Sequence, residues 1–128
     1  MKIKLIRFLP ALIWMIFIFY LSSRSTAGIP LTGTNRFLLL KTFHLIEYTV
    51  LNIFLNFGHY DLKKNFALSY VYALSDEFHQ TFVPGREGKL LDTFIDVIGI
   101  SIGTLISFFL NRQKIFEKCN RLIEKVSL

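Results

Sequence analysis

Residues 90–110 read LLDTFIDVIGISIGTLISFFL, and the reading of this stretch decides the fold. As a helix, its 21 residues would run about 30 Å, the thickness of the hydrocarbon core of a bilayer. Two acids interrupt it. Asp92, Asp96, Gly99 and Gly103 recur at i, i+4, i+7 and i+11, so on a helix they share one face. Glycines four residues apart let a second helix approach closely, which makes the acidic face the inside of a bundle.

Three other stretches have the same character: Leu5 to Ser22, Phe37 to Phe57 and Asn65 to Val83. Short polar or turn-forming segments separate them, and no strand-like alternation persists for more than a few residues. The predicted class is therefore all-α: a polytopic membrane protein with a bundle of four transmembrane helices and a short C-terminal amphipathic helix. A chain of 128 residues allows one domain, read as a transmembrane domain over 1–111 followed by a basic cytoplasmic tail over 112–128. Hydrophobic residues make up 52% and charged ones 19%, arranged in runs, which excludes disorder and a coiled coil. A single cysteine, Cys119, excludes a disulfide scaffold.

The net charge of +6 invites a nucleic-acid reading, and the positions of the charges exclude it. The basic residues flank the apolar runs. With the N-terminus inside, Lys2, Lys4, Arg7, Lys63, Lys64, Arg112, Lys114, Lys118, Arg121 and Lys125 lie on the cytoplasmic side. Arg24, Arg36, Arg86 and Lys89 lie on the other. Ten against four places both termini in the cytoplasm of a multi-pass cell-membrane protein. The basic start and Ser25-Thr26-Ala27 resemble a signal peptide, but Arg24 between core and site predicts that the first span is retained. In the tail, Ile115, Phe116, Cys119, Leu122, Ile123 and Val126 recur at helical spacing opposite most of the basic residues. That pattern suits a helix lying on an anionic leaflet; a frayed basic tail that only fixes topology is the alternative. Trp14 and Tyr20 read as lipid or interface anchors.

The charges inside the spans carry the functional information. A charge at mid-bilayer costs about 2.5–3.5 kcal/mol, so these groups must face one another, face water or lie near an interface. Lys41, His44 and Tyr48 form one stripe on the second span, with Glu47 nearby. Tyr72, Asp76, His79 and Gln80 share a face of the third, with Glu77 at its flank. With alternating directions, all three polar stripes meet in the same half of the bilayer, the outer half under the preferred topology. Glu47, Asp76, Glu77, Asp92 and Asp96 face only Lys41 and Arg86 as cations. Five carboxylates at low dielectric will not all remain ionised: some hold protons, or a cation binds. Between the third and fourth spans, Pro84-Gly85 suits the centre of a tight turn and forces an antiparallel hairpin. Arg86 then comes within reach of Asp76, Glu77, Asp92 or an anionic ligand. Its alternative role is to pin the hairpin to Asp92.

The run Asp76-Glu77-Phe78-His79-Gln80-Thr81-Phe82-Val83-Pro84-Gly85-Arg86, followed by Asp92, Asp96, Gly99 and Gly103, resembles the VanZ-like family of small bacterial membrane proteins. Lys41-x-x-His44-x-x-x-Tyr48-x-x-Leu51 and Leu21-Ser22-Ser23 are also similar to that family's motifs. Arg24 departs from the glutamine expected after the paired serines, and Asp96 stands where asparagine is also common. The resemblance implies a role at the cell envelope, since the family's namesake is associated with resistance to teicoplanin-type glycopeptides.

Three functions follow for comparison. One is a binder of a lipid-linked wall precursor or a glycopeptide, in which Lys41, His44, Tyr48, Gln80, Arg86, Asp92 and Asp96 form the ligand site or polar network. The alternative is a membrane-embedded hydrolase or transferase acting on a lipid or wall intermediate. There Asp76, Glu77 and His79 would be the catalytic residues, with Arg86 on an anionic group. His44, Asp76, His79 and Asp96 have ligand types suited to a divalent metal, at a spacing that matches no known motif. The third, a proton or ion relay, is disfavoured because the acids occupy only one half of the spans. The expected partners are the bilayer and a lipid-linked wall precursor or glycopeptide, with no nucleic acid; the glycine face and small size permit a homo-oligomer.

Overall fold

A computed structural model describes residues 6–26, 28, 30, 33–86, 88, 92–112 and 115–126. Among these, helices and turns account for the ordered structure and no strand occurs. The helices are α1 (Leu9–Ser22), α2 (Gly33–Gly58), α3 (Leu62–Gln80), α4 (Asp92–Arg112) and α5 (Ile115–Val126). The expected spans thus become α1 to α4, with shifted ends. Pro10 sits at the start of α1, where its missing N–H has no helical partner to lose. Asp61 caps α3 by accepting from the Lys64 backbone N–H at 3.1 Å, and this bond holds its carboxyl below the usual carboxylate range. Lys2, Lys4, Leu5, Ala27, Lys89, Leu90 and Lys114 lie outside the described residues, as do the side chains of Arg112, Ile115, Phe116, Cys119 and Val126.

By length and apolarity, two helices among the described residues qualify to cross a membrane: Gly33–Gly58 and Asp92–Asn111. α1 is apolar but only 14 residues long, and α3 is too polar to qualify, with exposed Lys63 and Lys64 at its start and buried Asp76 and Glu77 near its end. A different criterion concerns where polarity lies. Fourteen polar or charged residues are buried among the described residues, against eight hydrophobic ones. Outside, the large side chains are apolar: Ile13 and Ile16 on α1, Val71 and Phe78 on α3, Phe94 and Phe109 on α4. This is the reverse of a water-soluble bundle, and it is what a hydrocarbon solvent selects.

The centre of the bundle is the contact of α2 with α4. A Cβ on Gly99 would stand 2.6 Å from the Leu45 carbonyl oxygen, and one on Gly103 would stand 2.5 Å from that of Thr49. Only hydrogen fits at either position. The closeness lets Thr49 Oγ1 donate across to the Gly99 carbonyl at 3.0 Å. α1 is fastened to the same core by Trp14, whose Nε1 donates to the Glu47 carbonyl at 2.9 Å, and by Tyr72, whose hydroxyl donates to the Met15 carbonyl at 2.7 Å. Trp14 is therefore a half-buried packing residue and not a lipid anchor. At the other end of α1, Arg7 pairs with Glu124 at 2.7 Å and ties α5 to the bundle.

Candidate functional site

The end of α1, the start of α2, the end of α3 and the start of α4 lie together, and the polar side chains they contribute form layers. In the outermost layer Lys41 pairs with Asp92. One turn deeper, His44 Nδ1 stands 3.1 Å from Asp96 Oδ1 and 3.8 Å from Glu77 Oε1. Deeper again, Tyr48 donates to Asp76 Oδ2 at 3.2 Å, and Gln80 Nε2 donates to the same oxygen at 2.9 Å. Gln80 also reaches Ser22 Oγ at 3.4 Å, which brings in the end of α1. Helical spacing produces this order: Lys41, His44 and Tyr48 step down α2 while Asp92 and Asp96 step down α4.

The connecting loop closes the site from above. The Arg86 backbone N–H donates to the Val83 carbonyl at 3.1 Å, with Pro84 and Gly85 at the centre of the turn. Gly85 has φ +79°, the left-handed geometry that a type II turn requires at this position. Its carbonyl accepts from Thr26 Oγ1 at 2.8 Å. The turn sends the Arg86 side chain towards α1, where Nη2 donates to the Leu21 carbonyl at 2.9 Å and Nε to that of Arg24 at 3.1 Å. Arg86 therefore does not pin the hairpin to Asp92, because Lys41 already holds that carboxylate. The relative rotation of α2 and α4 settles the choice. Arg36 joins from the start of α2, donating to the Thr26 carbonyl at 2.7 Å and to its hydroxyl at 2.8 Å.

Two cavities open between these elements. The first, of about 380 Å³, is lined by Arg36, Lys41, His44, Gln80, Arg86 and Asp92 together with Thr26, Gly33, Phe37, Leu40 and Gly85. Three cations against one acid leave its lining at +2, with His44 taken as neutral. The second, of about 350 Å³, is lined by Leu21, Leu40 and Phe43 on its apolar side and by Arg24, Glu47 and Arg86 on its polar side. Thr26, Leu40, His44 and Arg86 border both, so the two form one amphipathic cleft.

Not every residue of the expected stripes reaches this cleft. His79 is half-buried against α1, with Nε2 3.0 Å from Ser23 Oγ and its ring 4.5 Å from that of Phe19. Tyr72 likewise turns towards α1. The donors that converge are His44, Glu77 and Asp96, one ligand atom of each lying within 4.8 Å of the others. Asp76 and His79, expected among the metal-ligand types, stand outside this trio.

Sequence reasoning passed over several participants. In the sequence Arg36 and Thr26 belong to the polar segment between the first two spans, and Arg36, five residues before Lys41, lies off its stripe. Below the acidic layers, Asn52, Asn56, Asn65 and Ser69 continue the polar interior to the far end. Asn52 Nδ2 donates to Ser69 Oγ at 3.2 Å, Asn56 Nδ2 to Asn52 Oδ1 at 2.9 Å, and Asn65 Nδ2 to Asn56 Oδ1 at 2.9 Å. Their spacing from Tyr48 and from Asp76 was a visible signal, hidden because amides carry no charge. The network is satisfied within itself, which suits a device for fixing helix register.

The described residues form an all-helical bundle with apolar outer faces, a polar interior and a cationic cleft at one end, and two of its helices are long and apolar enough to cross a membrane. The chain belongs to the VanZ/LLP1 family, whose model matches residues 7–111. No match was found among curated proteins or among solved structures.

Proposed function

We propose that this protein acts at the cell envelope by binding an anionic amphiphile of the lipid-linked wall-precursor class. Its phosphate-bearing headgroup would lie in the cleft and its chain along the apolar flank. All four of α1 to α4 cross the membrane in this reading, α5 lies on the inner surface and both termini are cytoplasmic. The cleft then faces outward, where wall precursors are consumed and glycopeptides act. The single observation that carries the reading is the junction of the two cavities at Arg86 and His44: a lining of charge +2 on one side, and Leu21, Leu40 and Phe43 on the other. Guanidinium groups bind phosphate oxygens in pairs, and Arg36 and Arg86 both keep donors beyond those already used. A cleft of this size suits a headgroup, not a whole glycopeptide, so resistance would arise through the lipid.

The test is the lipid that travels with the protein. Purified in mild detergent and extracted for mass spectrometry, the wild-type chain should carry phosphate-monoester or pyrophosphate lipids enriched at least about fivefold over the bulk membrane. Arg36→Gln should lose most of that enrichment while eluting as the wild type does. A lipid profile equal to that of the bulk membrane would count against the proposal. Lipids recovered without their phosphate or headgroup, dependent on Glu77, would move the reading to the hydrolase or transferase.

A further inference from the structure

We propose that His44, Glu77 and Asp96 hold a divalent metal cation at the floor of the cleft.

The distances fit. Donors about 2.1 Å from a common ion stand about 3.0 Å apart at right angles and about 3.4 Å apart in a tetrahedron. His44 Nδ1 is 3.1 Å from Asp96 Oδ1 and 3.8 Å from Glu77 Oε1, and one ligand atom of each residue lies within 4.8 Å of the others, so side-chain shifts of about 1 Å bring the trio to bonding geometry. The three residues come from three helices, α2, α3 and α4, and the contacts at Gly99 and Gly103 hold α2, with His44, close against α4, with Asp96.

A second observation points to a missing partner. Asp96 is wholly buried, at 0% exposure, and its Oδ2 has no hydrogen-bond partner among the described residues. Because Oδ1 of the same carboxylate touches His44, Oδ2 also lies at the trio. One layer below, Asp76 Oδ1 is buried and lacks a partner as well. A lone carboxylate oxygen in the interior is costly, and a cation satisfies it directly.

Charge balance points the same way. Glu47, Asp76, Glu77 and Asp96 are all buried, Lys41 is engaged by Asp92, and Arg86 lies across the cleft beside Glu47. A divalent ion offsets two of these carboxylates at once. One nitrogen and two carboxylate oxygens suit zinc or manganese, and three protein donors leave coordination positions open. His44 also lines the cleft, so the trio borders it and an open coordination position would be reachable from there. A phosphate oxygen could take that position, a consequence that rests on the lipid reading; the metal site itself does not.

The experiment is a titration of manganese(II) or zinc(II) into chelator-treated protein in detergent, with no lipid added. Wild type should bind one ion per chain, and Asp96→Asn and His44→Gln should each weaken binding at least about 100-fold. Asp61→Asn, at the far end of α3 and outside the cleft, should bind as wild type. Because Asp96→Asn bears on the core and could fail to accumulate, pulsed electron paramagnetic resonance of the manganese-bound protein supplies a reading that leaves the trio intact. It should show coupling to a single histidine nitrogen that survives in His59→Gln and His79→Gln. Failure to bind either ion at millimolar concentration, absence of nitrogen coupling, or equal binding by the trio variants would overturn the site. The lipid assay is read separately, so either proposal can fail alone.

Discussion

Gly103→Leu should leave no monodisperse protein, and even Gly103→Ala should lower thermal stability sharply. A Cβ at this position would meet the Thr49 carbonyl oxygen at 2.5 Å and Asn52 Cβ at 2.9 Å. The first of these is backbone in the middle of α2, so no rotamer change relieves it. α2 and α4 must separate, and separation also breaks the bond from Thr104 Oγ1 to Asn52 Oδ1, now 3.1 Å. Overpacking of this kind costs about 3 kcal/mol for a single methyl where the backbone cannot yield. Leucine adds three further carbons. Thermal unfolding in detergent, followed by the fluorescence of Trp14, the chain's one tryptophan, provides the measurement. Ile102→Leu, on the outer side of the same helix, should unfold with the wild type. An unchanged midpoint for Gly103→Ala would mean that α2 and α4 do not pack at this point, and the site built on that packing would fall with it.

The second large effect is expected at Arg86. This side chain does two things at once. It fastens the loop to the end of α1 through the Leu21 and Arg24 carbonyls, and it presents positive charge to both cavities. Arg86→Gln removes the charge and leaves the buried Glu47 without the cation beside it. Truncating one member of a desolvated charged contact costs about 2–5 kcal/mol, so affinity for short-chain phosphatidic acid should fall about 100-fold or more. Arg86→Lys keeps the charge but not the planar fork that serves two carbonyls and a phosphate together, and should lose about tenfold. Raised salt should weaken wild-type binding less than it would weaken an exposed ion pair, because the contact lies within the cleft. Equal affinity for phosphatidic acid and phosphatidylcholine in all three proteins would remove Arg86 from the ligand site.

The sequence revealed one part of this arrangement and concealed another. The stripe Asp92, Asp96, Gly99, Gly103 was legible because helical periodicity alone puts acids and close-packing glycines on one face. The convergence of Lys41, His44, Asp76 and Asp96 at one end was legible as well, since alternating helix directions fix relative depth. What periodicity does not contain is the rotation of each helix about its own axis. Tyr72 and His79 share a stripe with Asp76 in sequence, yet they meet α1, because α1 packs into the side of the bundle. The same ambiguity let Arg86 compete with Lys41 for Asp92, and the close contact of α2 with α4 resolves it for Lys41. The asparagine ladder went unread for a different reason: attention to charge passes over neutral amides, although burying them in hydrocarbon also demands partners. Four apolar runs in the sequence predict four crossings, whereas by length and apolarity two helices among the described residues qualify, Gly33–Gly58 and Asp92–Asn111. In α3 the interior polar stripe dilutes the signal that its outer face retains.

The proposed function requires a lipid phosphate in the cleft. Solid-state magnetic resonance can measure the dipolar coupling between lipid phosphorus-31 and guanidinium nitrogen-15 in arginine-labelled protein reconstituted with phosphatidic acid. Arg36→Lys and Arg86→Lys serve to assign the signals. The prediction is a phosphorus-to-nitrogen distance of about 4 Å, the span of a guanidinium–phosphate hydrogen bond, for both Arg36 and Arg86. Coupling confined to arginines outside the cleft, or none at all with the lipid in excess, would contradict it.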